Sequence, residues 1–482
     1  MALRELAELA LGAALTAGAT YADARFVRRC HQVVSVKNGG VSRMAFAEGA
    51  GLGVRVIARG AWGFAATSVL SEASVRGAAR QAVELAEAAA SSICEPVELA
   101  PVEPAVAEVP TCAQIDPFRV PAAEKLDLLM ACDAAMDIPG IVVRQAETNA
   151  WREEKFFASS EGARIYQERL VTQVEVVATA AGNGEVQRRS WPSSHGGELQ
   201  ARGWEIIEPL SLPARAAEIA REAVELLRAD QCPKGRMDII LEGSQLALQL
   251  HESCGHPVEL DRVLGTEASF AGTSFLTPDK LGTFRYGSEA VNIVADPTIP
   301  GAAGSFAYDD EGVQARVADI VRNGIFVGYL NSRETARKLG LDLVPAMRAD
   351  GWNRLPLVRM TNVNLLPGAA GSLADLLRDT DEGLLLVANK SWSIDDRRLN
   401  FQFACELGYR IKNGQLAGLV RNPTYQGMTP QFWASCDAIC GEDEWKVWGV
   451  PNCGKGEPMQ IMQVGHGVAP ARFRQVMVGV AD

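Results

Sequence analysis

Residues 232–261 read CPKGRMDIILEGSQLALQLHESCGHPVELD. Proline and glycine punctuate elements rather than continue them. Cys232-Pro233-Lys234-Gly235 therefore closes the helical pattern before it and marks the main domain boundary. Residues 237–242 then read as a strand, and Ser244 as the cap of a helix beginning at Gln245. Upstream of the break helices and strands mix; downstream the pattern turns strand-rich. A chain of 482 residues also exceeds one ordinary core. The class is α+β in two domains: an N-terminal α/β-mixed domain, residues 1–231, and a strand-rich C-terminal domain, residues 232–482.

Residues 1–19 have the Ala and Leu content of a secretory signal, but Glu5 and Glu8 interrupt it. Leu3, Leu6, Leu9 and Ala10 recur at helical spacing, which predicts a first amphipathic helix. Residues 21–36 alternate as a strand does. Residues 51–57 and 62–67, joined by Ala58-Arg59-Gly60-Ala61, predict a hairpin, and Ser71 caps a helix running to about residue 90. Pro96, Pro101, Pro104, Pro110, Pro117 and Pro121 punctuate residues 95–121, an extended crossing segment. A helix at 124–136, strands at 142–150, 155–158 and 170–180, and a helix opened by Pro213 complete the first domain. Beyond the break, Asn323-Gly324 and Asn413-Gly414 carry the pair that type I′ hairpin turns favour. Short helices are expected at 332–338 and 372–377.

The 47 basic and 59 acidic residues leave a net charge of −12. That argues against a nucleic-acid-binding surface or an anionic-membrane anchor, and no apolar run approaches the roughly 18 residues of a membrane span. The ten cysteines show no framework spacing. Cys30, Cys94, Cys112 and Cys132 stand beside apolar residues and are expected as buried free thiols, the usage of a reducing compartment. The expected location is cytoplasmic.

Chemistry concentrates in one place. Of the histidines His31, His195, His251, His256 and His466, two fall within His251-Glu252-Ser253-Cys254-Gly255-His256. The zinc-peptidase pattern His-Glu-x-x-His sets its ligands at i and i+4. Here the spacing is i, i+5, which on a regular helix swings the second imidazole about 140° away, against about 40° for i+4. Pro257 disfavours helical geometry at His256, and Gly255 can leave the right-handed region at little cost. A helix that unwinds or bulges at Gly255, as π-bulges do at functional sites, returns His256 toward His251. Glu252 stands where a water-activating base is needed. A peptidase metal usually takes three protein ligands and leaves a position for water. Cys254 points into the helix packing. His466, in Val464-Gly465-His466-Gly467, and Cys453, in Pro451-Asn452-Cys453-Gly454-Lys455-Gly456, are both open to the third place, and the residues alone do not choose between them.

Residues 251–261, HESCGHPVELD, resemble the His-Glu-x-x-Gly-His-x-x-Glu-x-Asp signature of the TldD/PmbA family. Tyr21-Ala22-Asp23-Ala24-Arg25, Gly53-Val54-Arg55-Val56, the stretch from Arg359-Met360-Thr361-Asn362 to Pro367-Gly368, and Cys453-Gly454-Lys455 match further landmarks in the same order. One position departs: Pro257 stands where the family often has glycine. The resemblance implies the TldD/PmbA fold, a metal bound by His251, His256 and Cys453, and Glu252 as general base. It also implies a cytosolic peptidase acting on unfolded or leader-type peptides inside a dimer cavity. Because this chain keeps its ligands, a homodimer is expected, with a heterodimer formed with a TldD/PmbA relative as the alternative. A thiolate ligand favours zinc (Zn2+), ahead of iron or manganese. The expected reaction is peptide hydrolysis by a metal-activated water, with Glu252 moving the proton. The rival reading is a non-catalytic, cavity-forming subunit of a heterodimer.

Other features weigh less. Glu259 and Asp261 are candidates to orient the imidazoles from behind. Asp309-Asp310-Glu311-Gly312 reads as an acidic turn, and Asp395-Asp396-Arg397-Arg398 as a charged surface turn with local ion pairing. Cys436 and Cys440 are spaced to face one another on a helix. No Gly-x-Ser-x-Gly or P-loop gives serine-hydrolase or nucleotide chemistry a foothold.

Overall fold

Successive side chains of a strand point to opposite faces, and the long strand Tyr21–Lys37 uses both. In the computed structural model, which describes residues 3–479, it lies in the middle of an eight-stranded sheet. It pairs antiparallel with Gly40–Ala58 on one side and Ile141–Ser159 on the other. Ala61–Thr67 extends the first side and Arg164–Gly182 the second. Even-numbered Ala22, Ala24, Phe26, Val34 and Val36 point to one face. Helices Leu3–Thr16 and Glu72–Ala89 cover its first part, and Ala122–Ala135 and Leu212–Leu226 its second. The opposite face meets the C-terminal half through buried charge: Arg55 bridges Asp23 (2.8 Å) and Glu311 (3.1 Å), and Lys155 reaches Asp310 (2.7 Å).

Three strands run longer than expected, among them Arg164–Gly182, which begins six residues before the expected 170–180. Residues 40–49 are exposed and so lack the alternation that announces a half-buried strand. Strand Ile141–Ser159 continues through Trp151-Arg152-Glu153-Glu154, charges that the sheet tolerates because Arg29 pairs with Glu153 at 2.6 Å. The proline-rich segment carries one regular element, the strand Val106–Val109, which pairs parallel with Arg164–Gly182, and it turns at residues 116–119.

The C-terminal half is built on a closed ring. Gly235–Leu241, Ala471–Val478, Thr424–Met428, Asn400–Lys412 and Glu382–Ile394 pair in that order, and the last returns to the first. Phe401, Phe403, Tyr425, Phe432 and Phe473 stack in its core. Both Asn-Gly pairs take the expected left-handed turns, with φ of 49° and 75° at 323–324 and 52° and 72° at 413–414. Helix Gly243–Leu250 is buried at every residue. Tyr425 Oη anchors it, accepting from Gln245 Nε2 (2.8 Å) and donating to Gln249 Oε1 (2.9 Å). The helix cap is Glu242 rather than Ser244: the strand ends at Leu241, and the next carboxylate accepts the Ser244 N–H at 2.8 Å.

Cys436 opens the strand Cys436–Ile439, so Cys436 and Cys440 do not share a helix. All ten cysteines are free, but of the four expected to be buried only Cys132 is: Cys94 and Cys112 are exposed because the loops that carry them lie on the surface, and Cys30 is half-buried in its strand. Among the described residues no helix is long and apolar enough to cross a membrane.

Candidate metal centre

The i, i+5 spacing is met by a single π turn, His251–Gly255, in which the His256 N–H donates to the His251 carbonyl. The helix does not unwind. Gly255 (φ −54°, ψ −59°) and His256 (φ −65°, ψ −43°) both stay right-handed, and the wider turn itself returns the second imidazole to the first. Glycine at 255 therefore serves close approach, not conformational freedom: a Cβ there would stand 2.1 Å from Met360 Sδ. Pro257 opens the 3-10 turn His256–Val258, where its missing N–H leaves no bond unmade. Gly255→Ala should destabilise the protein by about 1–3 kcal/mol through overpacking. Thermal unfolding checks this, and Met360→Ala in the same chain should recover part of the loss.

The structure brings His251, His256 and Cys453 together, with one side-chain donor atom from each within 4.8 Å of the others, all buried. Hydrogen bonds assign the histidine tautomers. His466 Nδ1 lies 2.9 Å from the Val363 carbonyl, which only accepts, so Nδ1 carries the proton. His466 Nε2 is then an acceptor, and His251 Nδ1 donates to it at 2.7 Å. His256 Nδ1 likewise donates to Glu259 at 2.9 Å. Both Nε2 atoms keep their lone pairs for an ion, and each is oriented from behind. The 3.7 Å from His256 Nε2 to Cys453 Sγ matches the ligand separation of about 3.6 Å that a tetrahedral zinc site gives. Burial alone would raise the Cys453 thiol, but His256 and Arg359 outweigh it and hold the thiol below its usual range. Two imidazoles and an acidified thiol make a donor set that fits a borderline-soft divalent ion.

One segment, residues 359–363, backs the whole site. Arg359 donates to the Cys453 carbonyl and, at 3.3 Å, to the Gln460 carbonyl. The Met360 N–H binds Glu259 (3.2 Å), the Thr361 carbonyl accepts from Gly465 N–H (3.2 Å), and Val363 holds His466. Glu259 and Asp261, which sequence alone also allowed as solvated charges, are buried. Lys455, fully buried, lies 2.6 Å from Asp261 and 3.5 Å from Glu259. Burial would raise the Glu259 carboxyl, but Lys455 and His256 hold it far below its ordinary value.

Glu252, 5% exposed, is the second residue of the π turn and sets its carboxylate on Arg398. Burial pushes this carboxyl up, and His251 and Arg398 more than reverse the shift, so it stays ionised. Arg398 takes a left-handed φ of 62°, at the end of a turn whose Asp395 caps Leu399 and Asn400. The Asp395–Arg398 turn thus belongs to the site instead of forming a self-contained surface cluster.

Family models for domain 1, the central domain and the C-terminal domain of the PmbA/TldA metallopeptidases match residues 22–86, 115–229 and 234–479. The chain belongs to the PmbA/TldD metallopeptidase family. It is 31% identical over 450 residues to a metalloprotease of Methanocaldococcus jannaschii, covering 93% of this chain and 94% of that one. It is 28% identical over 264 residues to the zinc metalloprotease TldD homologue of Saccharolobus solfataricus, covering 55% and 56%. A crystal structure from Thermotoga maritima has the same fold, with a TM-score of 0.79 at 19% identity over 99% of this chain and 100% of that one. So does TldE from Thermococcus kodakarensis, with a TM-score of 0.74 at 16% identity over 98% and 100%.

Within this PmbA/TldD chain the remaining histidines divide. His31 stacks on Trp151 (4.8 Å) and bonds Asn149, a packing role. His195 lies 5.0 Å from Trp392, and among the described residues neither of its ring nitrogens has a hydrogen-bond partner. Burial and the repulsion of His251 push it down to about 4, so it is neutral beside the candidate centre. Its loop, Trp191 to Gly197, precedes the domain break, and no local motif announces that it returns to the site. Asp309-Asp310-Glu311 is a turn, as expected, but fully buried. Asp309 accepts four backbone N–H groups, and burial pushes it up to about 7.

Proposed function

We propose that this metallopeptidase cleaves unfolded or extended peptides, with His251, His256 and Cys453 as the metal ligands and Glu252 as the general base. The observation that carries the reading is the convergence of two oriented imidazoles and one thiol within 4.8 Å, next in sequence to a buried carboxylate. Three ligands leave the fourth place of a tetrahedral ion open, the count of a catalytic site rather than a structural one. Zinc suits the donors best, in keeping with the name of the Saccharolobus relative. A bound ion would polarise the scissile carbonyl and make water acidic enough to lose a proton near neutral pH. Glu252, kept ionised, takes that proton and delivers it to the leaving amine. The retained ligands speak against a merely cavity-forming subunit. Division at residue 231/232, a homodimer and a cytoplasmic location complete the proposal. Native mass spectrometry should find about one zinc per chain and two chains per particle; a metal-free or monomeric active species would defeat the assignment.

An open strand edge supports extended peptides as the substrate. Among the described residues, strand Glu382–Ile394 pairs with Gly235–Leu241 only through Leu386, while its far end pairs on one side alone. Residues 390–393 are exposed there, and the strand runs directly into the turn that places Arg398 on Glu252. A peptide laid along such an edge gains main-chain hydrogen bonds whatever its side chains. One compact protein offered in native and stably unfolded form should be cut only when unfolded, and peptides of varied sequence should all be cleaved. Equal cleavage of the native form, or strict dependence on one side chain, would refute this.

A further inference from the structure

Two arginines between the halves have no carboxylate within ion-pair distance among the described residues, although Glu153 and Asp310 act on them from farther off. Arg169, on strand Arg164–Gly182, donates from Nη2 to the Ala303 carbonyl, and its Nε is buried without a partner. Arg348, 8% exposed, donates from Nη1 to the Met360 carbonyl at 2.9 Å. The neighbouring acids are engaged elsewhere. Glu153 pairs with Arg29 (2.6 Å), Asp310 with Lys155 (2.7 Å), and both Asp309 oxygens accept backbone N–H groups. Burial, with repulsion from nearby guanidinium groups, pushes Arg169 down to about 10 and Arg348 to about 9. Arg348 is buried and Arg169 half-buried with a buried, unbonded Nε, and charge desolvated in this way without a close ion-pair partner favours a counter-charge from outside the chain.

There is room for one. Arg169 and Arg348 line a chamber of about 40 Å³ together with Arg29 and Lys155 and the already paired Glu153 and Asp310, and Arg169, Lys155 and Phe306 also line an adjoining cavity of about 560 Å³. The larger volume is that of a small-molecule site. Its walls include Pro110, Ile299 and Pro300, apolar residues suited to a hydrocarbon body. The planar N–H forks of arginine match a carboxylate in geometry and charge. We propose that this cavity binds a small organic carboxylate, its head between Arg169 and Arg348 and its apolar body against Pro110, Ile299 and Phe306. The site is distinct from the metal centre. Residues 359–363 stand between them, with the Met360 carbonyl on Arg348 and its N–H on Glu259.

The carboxylate has two possible sources, a free organic acid or the carboxyl terminus of a peptide product. Calorimetry on the full-length, metal-loaded protein should detect one benzoate per chain and no benzamide, its neutral counterpart. Arg169→Gln and Arg348→Gln should each weaken benzoate about tenfold or more. A readout on the unaltered chain guards against misfolded variants. Cys112 is exposed and lines the larger cavity, whereas Cys94 is exposed beside a separate one. Saturating benzoate should slow iodoacetamide alkylation of Cys112 and leave Cys94 unchanged. Tighter binding of N-acetyl dipeptide acids than of benzoate assigns the site to peptide products, and weaker binding to free acids. No benzoate binding at millimolar concentration, equal binding to both arginine variants, or an unprotected Cys112 overturns the proposal.

Discussion

Glu252→Gln should keep its metal and lose a factor of about 10²–10⁴ in kcat for peptide hydrolysis, the usual worth of a general base. Glutamine retains the shape of the side chain and its contact with Arg398, but it cannot accept a proton. Glu252 is not one of the three converging donors, so metal content should not follow activity. kcat and kcat/KM should fall together, because the lost interaction belongs to the transition state. Glu252→Ala should be as inactive and also less stable. It strips the partner from Arg398, whose side chain is only 15% exposed, and breaking a largely buried ion pair costs several kcal/mol, about 3–5 in fully buried cases. Comparing the two variants separates chemistry from packing. Activity within tenfold of the parent in Glu252→Gln would remove this residue from the role.

Much of the architecture was legible because its signals are local. Ser71 caps its helix, the Asn-Gly pairs turn their hairpins, and Ser332 and Ser372 open short helices with capping boxes. These depend on a few neighbouring residues and survive tertiary context. The bulge between His251 and His256 was legible as a need, since i, i+5 cannot serve one ion from a regular helix. Of the two remedies the sequence offered, unwinding or a π-bulge, the structure takes the second, a hydrogen bond one residue longer; what stayed hidden is that Gly255 serves close approach to Met360 rather than conformational freedom. Long-range pairings were the least visible. Arg398 looked like one charge among four in a polar turn, and only the closed strand ring carries it to Glu252. Lys455 and Arg359 stood inside family landmarks without a task until folding buried them against Asp261 and the Cys453 carbonyl. His195 reaches the centre from the other half of the chain, a contact no periodicity encodes.

The third ligand is the point on which sequence alone could not choose, and it yields the sharpest expected contrast. Cys453→Ala, like His251→Ala and His256→Ala, should reduce bound metal from about one per chain to near zero, because two donors hold zinc poorly. His466→Ala should behave differently. His466 gives its Nδ1 proton to Val363 and accepts from His251, so it steers a ligand without being one. Loss of such support typically weakens metal binding about 10–100-fold, which equilibrium titration against a chelator can measure. The same variant strands the buried His251 N–H and Val363 carbonyl, a stability cost of about 1–3 kcal/mol each. His466→Gln can still present an acceptor to His251, so its affinity should fall between those of the parent and His466→Ala. Retention of full metal by Cys453→Ala together with complete loss in His466→Ala would reverse the assignment. The direction with pH follows from the same geometry. An ion replaces the protons that Cys453 Sγ and His256 Nε2 share, and binding therefore releases protons and weakens as pH falls. His256 itself is raised above its ordinary value: burial would lower it, but Cys453 and Glu259 outweigh burial. Competition from its proton therefore begins at a higher pH than a free imidazole would give. Glu259→Gln removes the Glu259 part of that competition, so the proton-linked fall in metal affinity should begin at lower pH, even as the weaker anchor for Nδ1 lowers affinity at neutral pH.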